Sequence, residues 1–269
     1  MAKFKCSPKF IRDFKARNRL SSRKLHYKRR PDVTDEQKKS WLRYMNELLD
    51  REDRDHIINM DETQWQVFPN GIMTWRDTGT DNVQVKINGN EKKGLTVLAS
   101  ITASGRKLPL LILAKGKTAR CERSQLPVDL NGNERTHSES GWTTKTVMET
   151  YFKLLRKAYP PRRPGDNGPR LHLVLDLYAA HKMKEVKDIA KEMNIELHFI
   201  PPGMTDEYQP LDRRVFGCLK ASGKAKFRQH YREDPSQKFN TKCATDCLLA
   251  AWDKLGSEVI EEAWDIYGQ

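Results

Sequence analysis

The chain has 269 residues, 37% of them apolar, with a formal net charge of +13, enough apolar material for one sizeable core with an appendage or for two small domains. The longest apolar run, Leu108 to Ala114, contains Pro109 and is far too short to cross a bilayer. The opening MAKFKCSPKF lacks the hydrophobic segment of a secretory signal, and five cysteines without paired spacing fit free thiols in a reducing compartment.

Charge is concentrated at the start. Residues 1–31 hold twelve Lys or Arg against Asp13 alone, which gives +11 and leaves +2 for the remainder. Within this stretch Ser7-Pro8 predicts a helix start, and Phe10, Ile11 and Phe14 follow at helical spacing until Leu20-Ser21-Ser22. Residues 24–33, with Pro31, predict a linker. A second helix begins near Thr34, with Trp41, Met45, Leu48 and Leu49 on its apolar face.

From about Asp55 the pattern becomes mixed α/β. HIINMDE predicts a short buried strand, alternation around Met73 to Arg76 the next, and Leu95 to Ala103 another. Ala103-Ser104-Gly105 turns the chain into Leu108 to Ala114, a hairpin. Residues 116–140 predict an exposed polar loop, and Thr143 opens a helix with Val147, Tyr151, Leu154 and Leu155 inward. Leu171 to Leu175 is a near-continuous apolar strand. A helix from Lys182 to Met193, striped by Val186, Ile189, Ala190 and Met193, leads to a strand over Ile195 to Ile200. Strand, helix and strand in this span make a βαβ unit with parallel strands. A basic helix follows from about Asp212, and another covers Ala244 to Leu255.

Asp61 follows HIINM and Asp176 follows LHLVL, each at the carboxyl end of a strand, the edge where open α/β sheets bind ligands. Asp212 comes 36 positions after Asp176, on a path that returns to the same edge. Three converging acids repel unless a cation sits among them, and Mg²⁺ takes oxygen ligands. Two such ions about 4 Å apart can activate an attacking oxygen and stabilise a leaving one. Local roles are equally open: Asp61 capping a turn, Asp176 bonding to backbone, Asp212 as a helix N-cap. Glu62, Asp206 and Glu207 are not excluded by spacing. The basic arm and the run from Arg213 to Arg232, seven Lys or Arg with no acid, point to a polyanion, most simply nucleic acid; the plain alternative for the arm is a solubilising tail.

The motifs around these acids carry a resemblance. NMDET at 59–63, KGLTVLASITASGRKLPLLILAKGK at 93–117, SGWTTKTVMETYF at 140–152, LVLDLYAAHK at 173–182, PPGMTDEYQPLD at 201–212 and AWDKLGSEVIEEAW at 251–264 resemble, in order, segments of the pogo group of DDE transposases in the mariner superfamily. The resemblance covers roughly 55–269 and implies an RNase H-like α/β fold, a mixed sheet with flanking helices. It implies a triad of Asp61, Asp176 and Asp212 that is both catalytic and metal-binding, holding two Mg²⁺ or Mn²⁺ ions. It further implies cleavage of transposon ends and joining of the freed 3′-hydroxyl to target DNA at TA dinucleotides. His181 holds the family's histidine position, as a substrate contact or as a packing residue.

Two positions depart from the family. Leu177 stands where it often has Asn, and SPKFIRDFKARNRLSSRK at 7–24 resembles only the last helix of a centromere protein B-type helix-turn-helix. The resemblance thus implies an N-terminally shortened member: residues 1–31 a basic arm, 32–54 a linker helix, 55–269 the catalytic domain. Double-stranded DNA is the expected partner, contacted by Lys15, Arg17, Arg19, Arg23, Lys24, Lys28, Arg29, Arg30, Arg213, Arg214 and Lys220. A homodimer on DNA is allowed, no membrane is involved, and the nucleus is the expected compartment. The alternative is a non-catalytic DNA- or chromatin-binding protein that keeps the fold.

Overall fold

The computed structural model describes residues 7–20, 33–67, 94–161, 166–177, 183–233 and 239–268. The chain divides into two compact units, residues 1–31 and 32–269. The strand expected around Met73 to Arg76, most of the 24–33 linker, and Arg23, Lys24, Lys28, Arg29, Arg30, His181 and Lys182 lie outside the described residues.

In the first unit, α1 spans Pro8–Arg17. Ser7 Oγ accepts the Phe10 N–H at 3.1 Å, and Pro8 fills a first-turn position that needs no donor. Phe10, Ile11 and Phe14 do share a face, yet all three are exposed.

The second unit opens with α2, Asp35–Arg51. Thr34 and Gln37 cap it reciprocally, and Trp41, Met45, Leu48 and Leu49 are buried along one side. Six strands follow: β1 (Ile57–Gln66), β2 (Gly94–Thr102), β3 (Leu111–Lys115), β4 (Glu134–Ser138), β5 (Leu171–Leu175) and β6 (Ile195–Phe199). They lie in the order β4-β3-β2-β1-β5-β6. β1–β2 and β2–β3 are antiparallel; β3–β4, β1–β5 and β5–β6 are parallel. Gly105, at φ +89°, makes the turn between β2 and β3, where a side chain would be strained.

Side chains alternate between the two faces. Ile57, Trp65 and Val174 pack with α2, α7 (Phe216–Glu233), α8 (Thr241–Asp253) and α9 (Ser257–Trp264). Ile58, Met60, Leu171, Leu173 and Leu175 pack against α4 (Lys145–Ala158) and α5 (Lys184–Glu192). The mixed sheet is therefore covered by helices on both faces. The βαβ unit is β5-α5-β6, with Val186 and Ala190 buried from the helix. α7 crosses β1 at Gly223, where an added methyl would stand 2.2 Å from Trp65 Cη2. No helix among the described residues is long and apolar enough to cross a membrane.

Three expectations need correction. Residues 116–140 are not one loop: they contain α3 (Arg120–Gln125) and β4. Among the described residues β4 is an edge strand, paired to β3 alone, which accounts for its polar sequence. β1 continues five residues past Asp61 because it stays paired with β2 as far as Gln66↔Gly94. α4 is capped by Thr144 rather than Thr143; Thr144 Oγ1 accepts the Val147 N–H.

Candidate active site

β1 pairs with β5 from Ile57↔His172 as far as Asn59↔Val174. Asp61 lies two positions beyond that last pair on β1, and Asp176 two positions beyond it on β5. The sheet thus opens between the two strands where both carboxylates stand. Asp61 is interior to its strand, opposite Ala99 of β2, so it caps no turn.

After β6 the chain passes a short α6 (Thr205–Tyr208) and a single π-helical turn, Leu211–Val215, before α7. Asp212 lies inside the π turn, whose N-cap is Pro210, so the helix-capping role is absent. π turns are frequent at functional sites. Two fully buried amides hold this turn against β1. Asn59 Nδ2 donates to Val174 O at 3.0 Å and to Gln209 Oε1 at 2.6 Å, and Asn59 Oδ1 accepts the Leu211 N–H at 3.1 Å. Gln209 Nε2 donates to Met60 O at 3.2 Å. The residue preceding Asp212 is therefore bonded to a strand residue two before Asp61.

Asp61 is buried. Its Oδ1 accepts the Glu62 N–H at 2.8 Å, while its Oδ2 is buried and receives no donor. The Asp61 and Asp212 carboxyls are close enough to share a proton. Burial first, then the charges of Asp212 and Asp176, hold Asp61 well above the usual carboxylate range. Asp212 is open to solvent on one side, yet partial desolvation and the charges of Asp176 and Asp206 raise it too, with Lys220 opposing. Both shifts express one fact: three acids meet here with less positive charge than they need. An orphaned buried oxygen among carboxylates suits a hard divalent cation. Among the described residues, three donor atoms lie within 4.8 Å of one another only at His172, Glu196 and His198; the three aspartates stand more widely apart.

The sequence profile of the DDE superfamily endonuclease family matches residues 92–264, well over half of the chain. The chain belongs to the DDE superfamily. The match includes Asp176 and Asp212 and begins downstream of Asp61. Its relatives are of the pogo type. The mouse protein "Pogo transposable element with KRAB domain" is 28% identical over 219 residues, 77% of this chain and 34% of that protein. Its human counterpart is 28% identical over 169 residues, 63% of this chain and 26% of that protein. The chain thus spans about a quarter to a third of the length of these curated relatives. Against the crystal structure of the Mos1 strand transfer complex the TM-score is 0.50, at 13% identity, over 96% of this chain and 70% of that one. At such identity the likeness is one of fold, the RNase H-like mixed sheet.

The other acids near these three aspartates are placed differently. Glu207 is bound by Lys38 of α2 at 2.7 Å, and Glu62 follows Asp61 on β1, so its side chain leaves by the opposite face. The charge of Asp206 helps raise Asp212. Of the expected DNA contacts, Lys15, Arg17 and Arg19 are at or just beyond the end of α1, and Arg213, Arg214 and Lys220 are exposed. Arg214 is paired with Glu262 at 2.5 Å, and Arg213 Nη1 reaches the Glu207 carbonyl at 3.4 Å. Lys220 lies over the Phe216 ring, 5.6 Å from its centre. Asn59 and Gln209 escaped the reading of the sequence as functional residues. The signal was present: an amide inside the otherwise apolar IINM, and another directly before Pro210.

Proposed function

We propose that this chain carries the catalytic domain of a pogo-type transposase, a divalent-metal-dependent DNA endonuclease and strand-transferase acting through Asp61, Asp176 and Asp212. The observation that carries the reading is the approach of these carboxylates at the β1/β5 opening, where burial and their mutual charge raise both Asp61 and Asp212. Two Mg²⁺ or Mn²⁺ ions, when bound, supply Lewis-acid activation of the attacking oxygen and stabilisation of the leaving one. Asp61 offers the buried oxygen, Asp176 the strand-end carboxylate, and Asp212 the one at the solvent edge, where a phosphate arrives. Asn59 and Gln209 keep the π turn in place, so the carboxylates need little rearrangement as charge develops. Lys220 lends positive charge at that edge. Water opens the phosphodiester at a transposon end and leaves a 3′-hydroxyl. That hydroxyl then attacks a target phosphodiester at TA, forming one bond as the target strand breaks.

The test is nicking of supercoiled plasmid with Mn²⁺. The full chain is expected to nick, chelator to stop it, and Asp176→Ala to remove it. Equal nicking by the variant overturns the assignment. DNA binding without nicking establishes instead the non-catalytic, DNA-binding alternative, which Leu177 favours by removing a polar neighbour of Asp176.

The arm and the exposed cations of the π turn and α7 would hold phosphates without reading sequence. An arm engaging about five phosphates contributes a slope of about −4.5 to log affinity against log salt on duplex DNA. Deleting residues 1–31 should remove that slope; a truncated chain that keeps it shows the arm to be a tail. We place the protein in the nucleus, with chromosomal DNA; a fluorescent fusion excluded from nuclei overturns that.

A further inference from the structure

A second group of ligating side chains lies at the other end of β5 from Asp176. His172 of β5 pairs with Glu196 of β6, and Val174 with His198, so all three ligating residues share one face of the parallel pair. His172 Nδ1 lies 3.1 Å from His198 Nε2 and 3.4 Å from Glu196 Oε2. That oxygen is 4.0 Å from His198 Nε2. A tetrahedral ion with bonds of about 2.0–2.2 Å to N and O separates its ligands by roughly 3.3–3.5 Å. The three donor atoms therefore already approximate one face of such a tetrahedron. Both histidines are buried and Glu196 is half-buried.

The outer nitrogens fit the same picture. His198 Nδ1 meets the Tyr44 hydroxyl. His172 Nε2 is buried without an aligned partner, and Glu52 Oε2 stands 3.4 Å from it. Tyr44 belongs to α2, and Glu52 is its C-cap. An oxygen on the far nitrogen is how metal-bound histidines are oriented. One proton shared between the two rings would explain the 3.1 Å contact alone. It leaves the Glu196 carboxylate facing the same His172 Nδ1, and a single cation satisfies all three. Arg170 Nη2 also holds Glu196 Oε2, at 2.7 Å, from a side chain that is 60% exposed and free to turn away.

We infer that His172, Glu196 and His198 form a binding site for a divalent transition cation of the Zn²⁺ class, with a fourth position for water. Two imidazoles and one carboxylate favour such an ion over Mg²⁺. Asp176 lies four positions after His172, roughly 13 Å along a strand at about 3.3 Å per residue, so the site is distinct from the aspartates. An ion here ties α2 to β5 and β6. The inference does not rest on the proposed catalytic function.

The experiment titrates the metal-free full chain with Zn²⁺ alone, following binding heat and melting temperature. Asp176→Ala serves as the background in which the aspartate site is impaired. One Zn²⁺ per chain is expected to persist in Asp176→Ala, beside any that the aspartates take in the native chain, with a rise in melting temperature. Glu196→Gln, which keeps the shape of a half-exposed side chain, should weaken Zn²⁺ by about tenfold or more, and His198→Gln should remove it. If His198→Gln does not fold, Glu196→Gln alone decides. Absence of Zn²⁺ binding, its loss with Asp176→Ala, or its persistence at full strength in Glu196→Gln overturns the site.

Discussion

Asp61→Asn is expected to lower metal-dependent nicking by more than about 100-fold, because changing a group that only orients a metal ligand already costs about 10–100-fold. The same change is expected to raise the melting temperature of the metal-free protein at neutral pH. Asp61 is buried beside Asp212 and Asp176, and each of these features disfavours its charged form. Asn keeps the acceptor that receives the Glu62 N–H and offers the Asp212 carboxyl a donor. A recovered kcal/mol shifts the midpoint of a domain this size by about 2–4 °C.

The sign of the pH dependence follows. Asp61 has a folded pKa above its unfolded one, so the folded state binds the proton more tightly. Its contribution to stability is complete below the ordinary carboxylate range and is lost as pH rises through the elevated folded value. Lys-paired acids such as Glu149 act in the opposite sense, so the informative quantity is the difference between the two proteins. Asp61→Asn should gain on the native chain as pH rises from about 4 toward neutral, and Mg²⁺ should narrow the gap by stabilising only the native chain. A variant that melts lower at neutral pH, or a gap that does not change with pH, refutes this account of the site.

Much of the architecture was legible in the sequence because burial writes a period. Leu171 to Leu175 is buried at every position and apolar at all but His172, since both faces of β5 are covered, and the acid that ends the run is the first residue past the strand. The cap at Thr34 and the stripe from Trp41 to Leu49 gave α2 directly. What stayed hidden lacks that period. β4 is read through Glu134, Arg135 and His137, polar because the strand borders the sheet, and α3 buries no residue. The extension of β1 through Thr63 and Trp65 did alternate buried and exposed positions, but the acids at its centre looked like a strand end. Spacing alone could not separate Asp212 from Glu207; what favours Asp212 is that Lys38 binds Glu207 and that Asn59 bonds to Leu211. Long-range hydrogen bonds of this kind leave no local pattern.

Those bonds supply the other large effect, at Asn59. Asn59→Leu keeps the volume and apolar character that β1 tolerates, but strips Val174 O, Gln209 Oε1 and Leu211 N of their buried partner. Each orphaned group costs about 1–3 kcal/mol, so a loss of about 3 kcal/mol or more in urea denaturation is expected even with partial relaxation. Nicking should fall by about 10–100-fold, since the π turn that presents Asp212 loses its tether to β1. The second arm of the experiment is Gln209→Leu, alone and combined with Asn59→Leu. The two side chains share one bond, so the double variant should lose less stability than the two singles together. Additivity to within about 0.5 kcal/mol would mean the amides act independently. Nicking that survives Asn59→Leu in folded protein would mean that Asp212 is positioned by something other than this pair.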